Sequence, residues 1–254
     1  MLTPYYHVSA VRSRPLQPGS SPAGLDSWMQ FADELIDYLD QAAAGSRLDS
    51  DRAAGGWLGV GHSLGAVTTV AAALRRPELF SAVVVIDPVF FYPLKLMLYT
   101  LARHLGLARY ANPLVTSAQR RRRAFASADE MYAHYRKAPV FSRIDDHGLR
   151  AYVDALARPR PDGQAPGVEL AYSPEWEARI YATGPLDLWG RIGRLRVPLL
   201  AIRGADSTAF DPAAVRALRR RLPGAVIKEV PGAGHLVPLE KPAEVGRLIL
   251  EFLT

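Results

Sequence analysis

The stretch WLGVGHSLG at residues 57–65 decides the fold of this chain. A short apolar run reaches a Gly-His-Ser-Leu-Gly turn, and an apolar run at helical spacing, residues 66–74, leaves it. A strand, a tight turn and a helix around G-x-S-x-G form a nucleophile elbow, which holds the serine above the carboxyl end of a sheet. The turn needs a strained backbone at Ser63, and Gly61 and Gly65 allow close approach of neighbouring chain without a Cβ clash. We therefore expect Ser63 to be a reactive residue.

A histidine and two candidate acids follow the elbow. His235 lies on the glycine-flanked loop PGAGHLVPLEKP, residues 231–242, between a predicted strand and the last predicted helix. Asp87 and Asp206 each come after a predicted strand, at residues 82–86 and 197–203 respectively. The chain order is therefore serine, acid, histidine.

With these residues the chain resembles the α/β-hydrolase fold superfamily, in particular its serine hydrolases. The resemblance covers most of the chain and is strongest at residues 61–65, at VPLLAIRG (residues 197–204) and at residues 231–242. It implies an α/β protein with a mostly parallel, doubly wound sheet and a helical lid inserted between the two halves of the core. The expected bounds are residues 1–88 and 196–254 for the core and 89–195 for the lid, where the regular alternation of strands and helices stops.

The beginning of the chain departs from the family pattern. One strand, Tyr6 to Val11, is predicted before the elbow, and about five strands are predicted in all, where the family usually has eight. The His-Gly loop that usually supplies one of two oxyanion-hole N–H groups has no counterpart, and the other N–H is expected from Leu64. Loss of one such donor typically lowers kcat by about 10²–10³. We therefore expect either a natural start upstream of Met1 or a shortened family member with an open sheet edge.

The resemblance also implies roles for the candidate residues. A serine hydroxyl is too weakly acidic to attack unaided, so His235 would take the proton of Ser63 while a carboxylate holds the imidazole. Asp206 is at the commoner place for this acid in related folds, although its spacing from Gly204 is one or two residues short. Asp87 is at a place that some members use, and the two alternatives stay open. Asp211, which precedes a proline, is expected to cap the next helix.

Three further residues are candidates for substrate binding. Phe90 and Phe91 lie just past the strand beside the elbow, where they could line a pocket. His62 is expected to point away from Ser63 and to pack or hydrogen-bond under the oxyanion loop. The apolar run from Leu94 to Leu105 either lines an acyl or aromatic pocket or packs on the core.

The composition narrows the classes of function. The chain has 254 residues, 49% of them hydrophobic and 22% charged, which is ordinary for a globular protein. Its net charge of +6 comes almost entirely from arginine, and the run Arg120 to Arg123 would spread around a solvated helix instead of forming a nucleic-acid stripe. There is no cysteine, no phosphate-binding glycine motif and no histidine pair at ligand spacing. We expect no cofactor, no metal, no nucleic acid and no membrane span, and a cytoplasmic monomer or homodimer.

These observations predict a cofactor-free serine hydrolase that cleaves an ester or related acyl bond of a small apolar substrate through an acyl-enzyme on Ser63. A carbon–carbon bond hydrolase with the same triad is one alternative. A catalytically impaired or truncated family member that binds a ligand is the other. A serine at the nucleophile position argues against the haloalkane dehalogenases and epoxide hydrolases of the fold, which use a carboxylate there.

Overall fold

The computed structural model describes residues 2–45, 56–107, 112–161 and 166–254. The chain divides into two units. The first contains Met1–Ser13, Asp26–Leu101 and Gly184–Thr254, and the second contains Arg14–Leu25 and Ala102–Thr183. These bounds differ from the expected insertion at residues 89–195: residues 89–101 and 184–195 belong to the first unit, and Arg14–Leu25, expected in the core, belongs to the second. That the second unit acts as a lid remains a prediction.

The helices and strands follow one another in an order that places two strand–helix–strand units in the first unit of the chain. In chain order the elements are α1 (Met29–Gly45), β1 (Trp57–His62), α2 (Leu64–Arg75), β2 (Phe80–Ile86), α3 (Pro93–His104), α4 (Pro113–Gln119), β3 (Ala124–Phe125), α5 (Ala128–Arg136), α6 (Asp146–Leu156), β4 (Ala157–Pro159), β5 (Val168–Leu170), α7 (Pro174–Thr183), β6 (Leu199–Gly204), α8 (Pro212–Arg221), β7 (Val226–Val230), α9 (Val237–Glu240) and α10 (Pro242–Leu253). Strands β3, β5 and β4 form a small antiparallel sheet in the second unit.

The main sheet has the strand order β1-β2-β6-β7, and every neighbouring pair in it is parallel. His62 pairs with Ile86, which pairs with Ile202, and Gly204 pairs with Val230. The carboxyl ends of all four strands therefore lie along one edge of the sheet. The segments that follow these strands emerge side by side at that edge.

Burial of the central strands explains their sequences. The run from Ala82 to Ile86 is almost wholly inaccessible, as expected for a parallel strand covered on both faces. Alternate side chains of β2 and β6 pack with Val245, Leu248 and Ile249 of α10 in one apolar cluster. Helix α2 lies against β1 and β2, and α1 lies against α2. The predicted α/β fold with a mostly parallel sheet is confirmed.

The expected strand from Tyr6 to Val11 is wrong. These residues form no regular element, and Val8 and Val11 are 53% and 39% exposed. Their alternating pattern was compatible with a strand, but no described strand lies beside them to satisfy the backbone hydrogen bonds. Among the described residues, β1 is an edge strand of the main sheet, and its Val60 is 42% exposed.

The four consecutive arginines also differ from expectation. Helix α4 ends at Gln119, so Arg120 to Arg123 follow the helix instead of lying on it. The glutamates that pair with these arginines lie on two different helices, α5 and α7. A continuation of α4 would not direct consecutive arginines at both of them. The ion pairs join Arg121 to Glu177, Arg122 to Glu130 and Arg123 to Glu175.

The run Leu94 to Leu105 forms most of α3, and only some of its apolar side chains are buried. Leu96 and Tyr99 are buried, whereas Leu94, Met97 and Leu98 are each more than half exposed. Helix α3 therefore contacts the rest of the chain through one side. Within the described ranges, no helix is both long enough and apolar enough to cross a bilayer.

Replacing Gly61 by alanine should destabilise the fold, whereas the same change at Gly65 should not. A Cβ at Gly61 would lie 2.4 Å from the carbonyl oxygen of Gly65, but a Cβ at Gly65 would meet nothing within 4 Å. Overpacking of this kind costs about 1–3 kcal/mol, and alanine is favoured over glycine in a helix by about 0.5–1 kcal/mol. Urea unfolding of Gly61→Ala and Gly65→Ala measures the change in the free energy of unfolding for each variant. Equal stability of the two variants would contradict the packing described for the elbow.

Candidate active site

The elbow places Ser63 alone between β1 and α2. Its backbone has φ 55° and ψ −117°, a region that non-glycine residues rarely adopt and that costs about 1–3 kcal/mol. The Ser63 N–H donates to the carbonyl of Ile86 at 3.1 Å, and the N–H of Val67 donates to the carbonyl of Ser63 at 3.3 Å. These bonds hold the strained residue between the sheet and the helix. The predicted strand, turn and helix are therefore present.

His235 lies between Ser63 and Asp87. Its Nε2 is 2.9 Å from the Ser63 Oγ, and its Nδ1 is 2.6 Å from the Asp87 Oδ2. An ionised carboxylate can only accept a hydrogen bond, so Nδ1 carries the proton. The Nε2 lone pair then faces the serine hydroxyl. This is the geometry of a nucleophile, a base and a group that orients the base.

Asp87 is completely buried and directly follows β2. Its φ of 41° is also in the left-handed region, and its N–H donates to the carbonyl of Ile202 at 2.7 Å. A buried carboxylate needs hydrogen-bond donors. Besides His235, the Gly204 N–H donates to Oδ1 at 3.1 Å, and the hydroxyl of Ser207 donates to Oδ2. Asp87 is thus surrounded by three donors, two from the end of β6 and the loop that follows it and one from the loop after β7.

The other candidate acid, Asp206, is exposed, and its backbone N–H donates to the carbonyl of Ala233 at 3.0 Å. The structure therefore places Asp87, and not Asp206, against the imidazole. Asp211 accepts a hydrogen bond from the Ala214 N–H at 2.8 Å, which confirms it as the cap of α8.

Ser207 was not recognised from the sequence as a site residue. A buried arginine shapes the turn that carries it: the Arg203 Nε donates to the carbonyl of Phe210 at 2.9 Å, and Nη2 donates to that of Ala205 at 3.0 Å. The available signal was a lone arginine at the end of an otherwise apolar strand. Such a residue has to find acceptors in the loop that follows.

His62, the residue before the serine, contacts the histidine loop. Its Nε2 is 2.8 Å from the carbonyl oxygen of His235, and the two imidazole rings are 4.9 Å apart. A carbonyl oxygen only accepts, so the Nε2 of His62 carries the proton. Burial, reinforced by the neighbouring His235, lowers the pKa of His62 from 6.5 to about 4. His62 is therefore neutral near pH 7.

The two candidate pocket residues lie in an apolar part of the first unit. Phe90 is buried against the rings of Trp189 and Phe210, at 5.7 and 6.0 Å. Phe91 is half-buried, and its carbonyl accepts a hydrogen bond from the Trp189 indole at 2.7 Å. A small cleft is lined by Phe90, Phe91, Leu186, Leu188, Trp189 and Ile192. Ser63 is not among its lining residues, so substrate binding by the two phenylalanines stays a prediction.

Helix α2 begins at Leu64, directly after the serine. The first N–H groups of a helix lack acceptors within the helix, and its positive end favours negative charge. The Leu64 N–H is thus available in principle to an oxyanion. In the parts of the chain that the structure describes, no three histidine or carboxylate side chains are grouped to hold a metal ion.

Comparison with known proteins identifies the family of the chain. A sequence model of the alpha/beta hydrolase family matches residues 6–248, nearly the whole chain. The chain belongs to the alpha/beta hydrolase family. Membership of this family supports a hydrolase.

Three individual proteins are similar to it. A Bacillus subtilis (strain 168) protein named for 2-succinyl-6-hydroxy-2,4-cyclohexadiene-1-carboxylate synthase activity is 39% identical over 67 residues, which is 26% of this chain and 24% of that protein. An E-2-(acetamidomethylene)succinate hydrolase structure is 24% identical with TM-score 0.70, covering 92% of this chain and 75% of its own. An esterase from Mycobacterium tuberculosis is 23% identical with TM-score 0.62, covering 89% and 67%. The two structural matches show the shared fold.

Lowering the pH should destabilise the wild-type chain more than a His62→Gln variant. Because the folded pKa of His62 is about 4 and the unfolded value is 6.5, the unfolded chain binds an extra proton between these values. Stability contributed by neutral His62 is therefore complete above pH 6.5 and declines as the pH falls to 4, by up to about 3 kcal/mol. Urea unfolding at pH 7.5 and pH 4.5 measures the difference.

The exposed His147 provides the control for this experiment. His147→Gln should retain the wild-type dependence on pH, since an exposed ring does not require desolvation of its charged form. If His62→Gln lost as much stability as the wild type between the two pH values, the burial of His62 would be refuted.

Proposed function

We propose that this protein is a serine hydrolase that cleaves an ester or related acyl bond through an acyl-enzyme on Ser63. The observation that carries the proposal is the continuous contact from the Ser63 Oγ to the His235 Nε2 at 2.9 Å, and from the His235 Nδ1 to Asp87 at 2.6 Å. In this assignment Ser63 is the nucleophile, His235 the general acid and base, and Asp87 the orienting carboxylate. No cofactor is needed for this chemistry.

In the first half-reaction, the Ser63 Oγ attacks the substrate carbonyl carbon while the His235 Nε2 takes the hydroxyl proton. The carbonyl oxygen becomes an oxyanion, which the Leu64 N–H stabilises at the positive end of α2. The tetrahedral intermediate then expels the alcohol, which takes the proton from Nε2. Asp87 keeps the imidazole in the correct tautomer and stabilises the imidazolium between these two proton transfers.

In the second half-reaction, water replaces the alcohol. The His235 Nε2 takes a proton from water, the hydroxide attacks the acyl carbon, and collapse of the intermediate releases the acid as Ser63 regains its proton. The two predicted alternatives differ at defined points. A carbon–carbon bond hydrolase would require a ketone substrate, and a ligand-binding family member would not turn over at all.

Small substrates with an apolar acyl group fit the proposal best. Phe90 and Phe91 border an apolar cleft in the same unit as Ser63, and aromatic walls favour such groups. The similarity to an esterase supports ester cleavage, and the similarity to a succinate-derivative hydrolase keeps acyl bonds other than esters in view. We propose this class of substrate without proposing a single compound.

Short-chain p-nitrophenyl esters test the assignment of roles. We expect turnover by the wild type and a loss of kcat of at least about 10³ in Ser63→Ala and in His235→Ala, because each removes a member of the triad. Asp87→Asn should lower kcat by about 10⁴ through the wrong imidazole tautomer. The matched control Asp206→Asn should stay within about threefold of the wild type, since Asp206 is exposed and the His235 Nδ1 bonds to Asp87. Full turnover in Ser63→Ala would remove the proposal, and the reverse ranking of the two aspartates would exchange their roles.

A serine-directed fluorophosphonate tests the nucleophile independently of the substrate. The Ser63 Oγ should displace fluoride to form a phosphonate ester, and intact mass spectrometry with peptide mapping should locate the adduct on Ser63. Ser63→Ala should remain unlabelled, and His235→Ala should label far more slowly because the hydroxyl is no longer activated. A folded wild type that neither labels nor hydrolyses esters would favour the ligand-binding alternative.

A further inference from the structure

The residue next to the nucleophile contacts the base and not the hydroxyl. His62 is the last residue of β1, whereas His235 lies on the loop after β7, 173 positions along the chain. The His62 Nε2–H donates to the His235 carbonyl at 2.8 Å, and the two rings pack at 4.9 Å with a tilt of 37°. Neither the catalytic steps proposed above nor the packing of the core uses this hydrogen bond.

We propose that His62 is a positioning residue that holds the backbone of His235, and thereby keeps the His235 Nε2 at 2.9 Å from the Ser63 Oγ. The inference rests on the proposed serine hydrolase function. The imidazole of His235 is held on its Nδ1 side by Asp87, and the hydrogen bond from His62 holds the same residue at its main chain. Two attachments fix the position of the ring, whereas one leaves it able to swing.

The loop that carries His235 needs such an attachment. Gly232 has φ 65°, Gly234 directly precedes the histidine, and a glycine restricts its own backbone less than other residues do. Before the histidine, the Gly234 N–H donates to the Glu240 carboxylate at 2.7 Å, and the Asp206 N–H donates to the Ala233 carbonyl at 3.0 Å. A misplacement of about 1 Å can lower catalysis by about 10². A hydrogen bond to His235 itself acts on the residue whose Nε2 has to be placed accurately against the Ser63 Oγ.

The charge of His62 is compatible with this role. Burial and the neighbouring His235 ring both lower the pKa of His62, and together they outweigh the His235 carbonyl and Asp87, which raise it. The ring therefore stays neutral while His235 becomes an imidazolium in each half-reaction. A neutral neighbour at 4.9 Å adds no repulsion to that cation. His62 acts through its N–H and its shape, and not through a charge.

Two neutral amide variants separate the N–H from everything else about the side chain. In glutamine the amide nitrogen lies the same number of bonds from Cα as the His62 Nε2, whereas in asparagine it lies where Nδ1 would be. His62→Gln can therefore reach the His235 carbonyl, and His62→Asn cannot. We expect His62→Asn to lower kcat for a p-nitrophenyl ester by 10- to 100-fold with KM changed by less than about threefold, and His62→Gln to recover most of that loss. The rate of fluorophosphonate labelling should fall and recover in the same order.

The pH profile of kcat/KM provides a readout that a merely structural role would not move in this pattern. His62 stays neutral near and above pH 7, so replacing it removes no charge from the site. Both variants should therefore keep the acid limb of the wild-type kcat/KM profile, while His62→Asn lowers kcat/KM on the plateau. A His62→Asn plateau within threefold of the wild type would overturn the proposal, and so would equal losses in the two variants or an acid limb displaced in His62→Gln. If His62→Asn fails to fold, His62→Met serves as the variant without a donor. Activity that survives in Ser63→Ala would instead overturn the proposed function, so the two failures are distinguishable.

Discussion

The register of four parallel strands determines where the reacting groups lie. His62, Ile86 and Ile202 are aligned across β1, β2 and β6, so the next residues along the first two strands, Ser63 and Asp87, emerge as neighbours at the same edge. The loop after β7 starts from this edge as well and carries the histidine back to them. Residues separated by up to 172 positions in sequence are brought together in this way. A shift in the register of β1 or β2 would move Ser63 or Asp87 along the strand axis, away from that edge, and break its contact with the imidazole.

The same sheet supports the strained conformations at that edge. Ser63 and Asp87 both have positive φ, each at a cost of about 1–3 kcal/mol for a non-glycine residue. Each N–H continues the hydrogen bonding of the ladder, to the carbonyls of Ile86 and Ile202 respectively. The chain can therefore turn sharply after each strand without leaving a buried N–H unsatisfied. Both side chains are directed by a backbone that the neighbouring strand holds in place.

The nucleophile elbow and the order of the strands around it could be predicted from local sequence, because the strand, the turn glycines and the helix are contiguous. The acid could not, since Asp87 and Asp206 both follow strands that end at the same edge. What separates them is three-dimensional: Asp87 is buried among donors, whereas Asp206 is exposed. The donor Ser207 depends on the turn held by a buried arginine, and no local pattern predicts which way that turn points its hydroxyl.

The errors have a similar origin. Tyr6 to Val11 has alternating residues typical of a strand, but a strand exists only if a neighbouring strand pairs with it, and periodicity carries no information about the neighbour. Arg120 to Arg123 continue a helical pattern, but their glutamate partners on two other helices lie where the helix would not direct them. In both cases tertiary context overrode the local preference, through a missing strand partner in the first case and ion pairs in the second.

The proposed base is constrained differently from the other two members of the triad. Ser63 and Asp87 are fixed by the sheet, whereas His235 lies on a glycine-containing loop and is held through its side chain by Asp87 and through its main chain by His62. Of these groups His235 alone has to change its charge during the proposed reaction. A buried carboxylate with three donors stabilises that change, and a neighbouring imidazole that stays neutral does not oppose it. The backbone of His235 can therefore be held in place without adding a second cation to the site, which a lysine or arginine at position 62 would do.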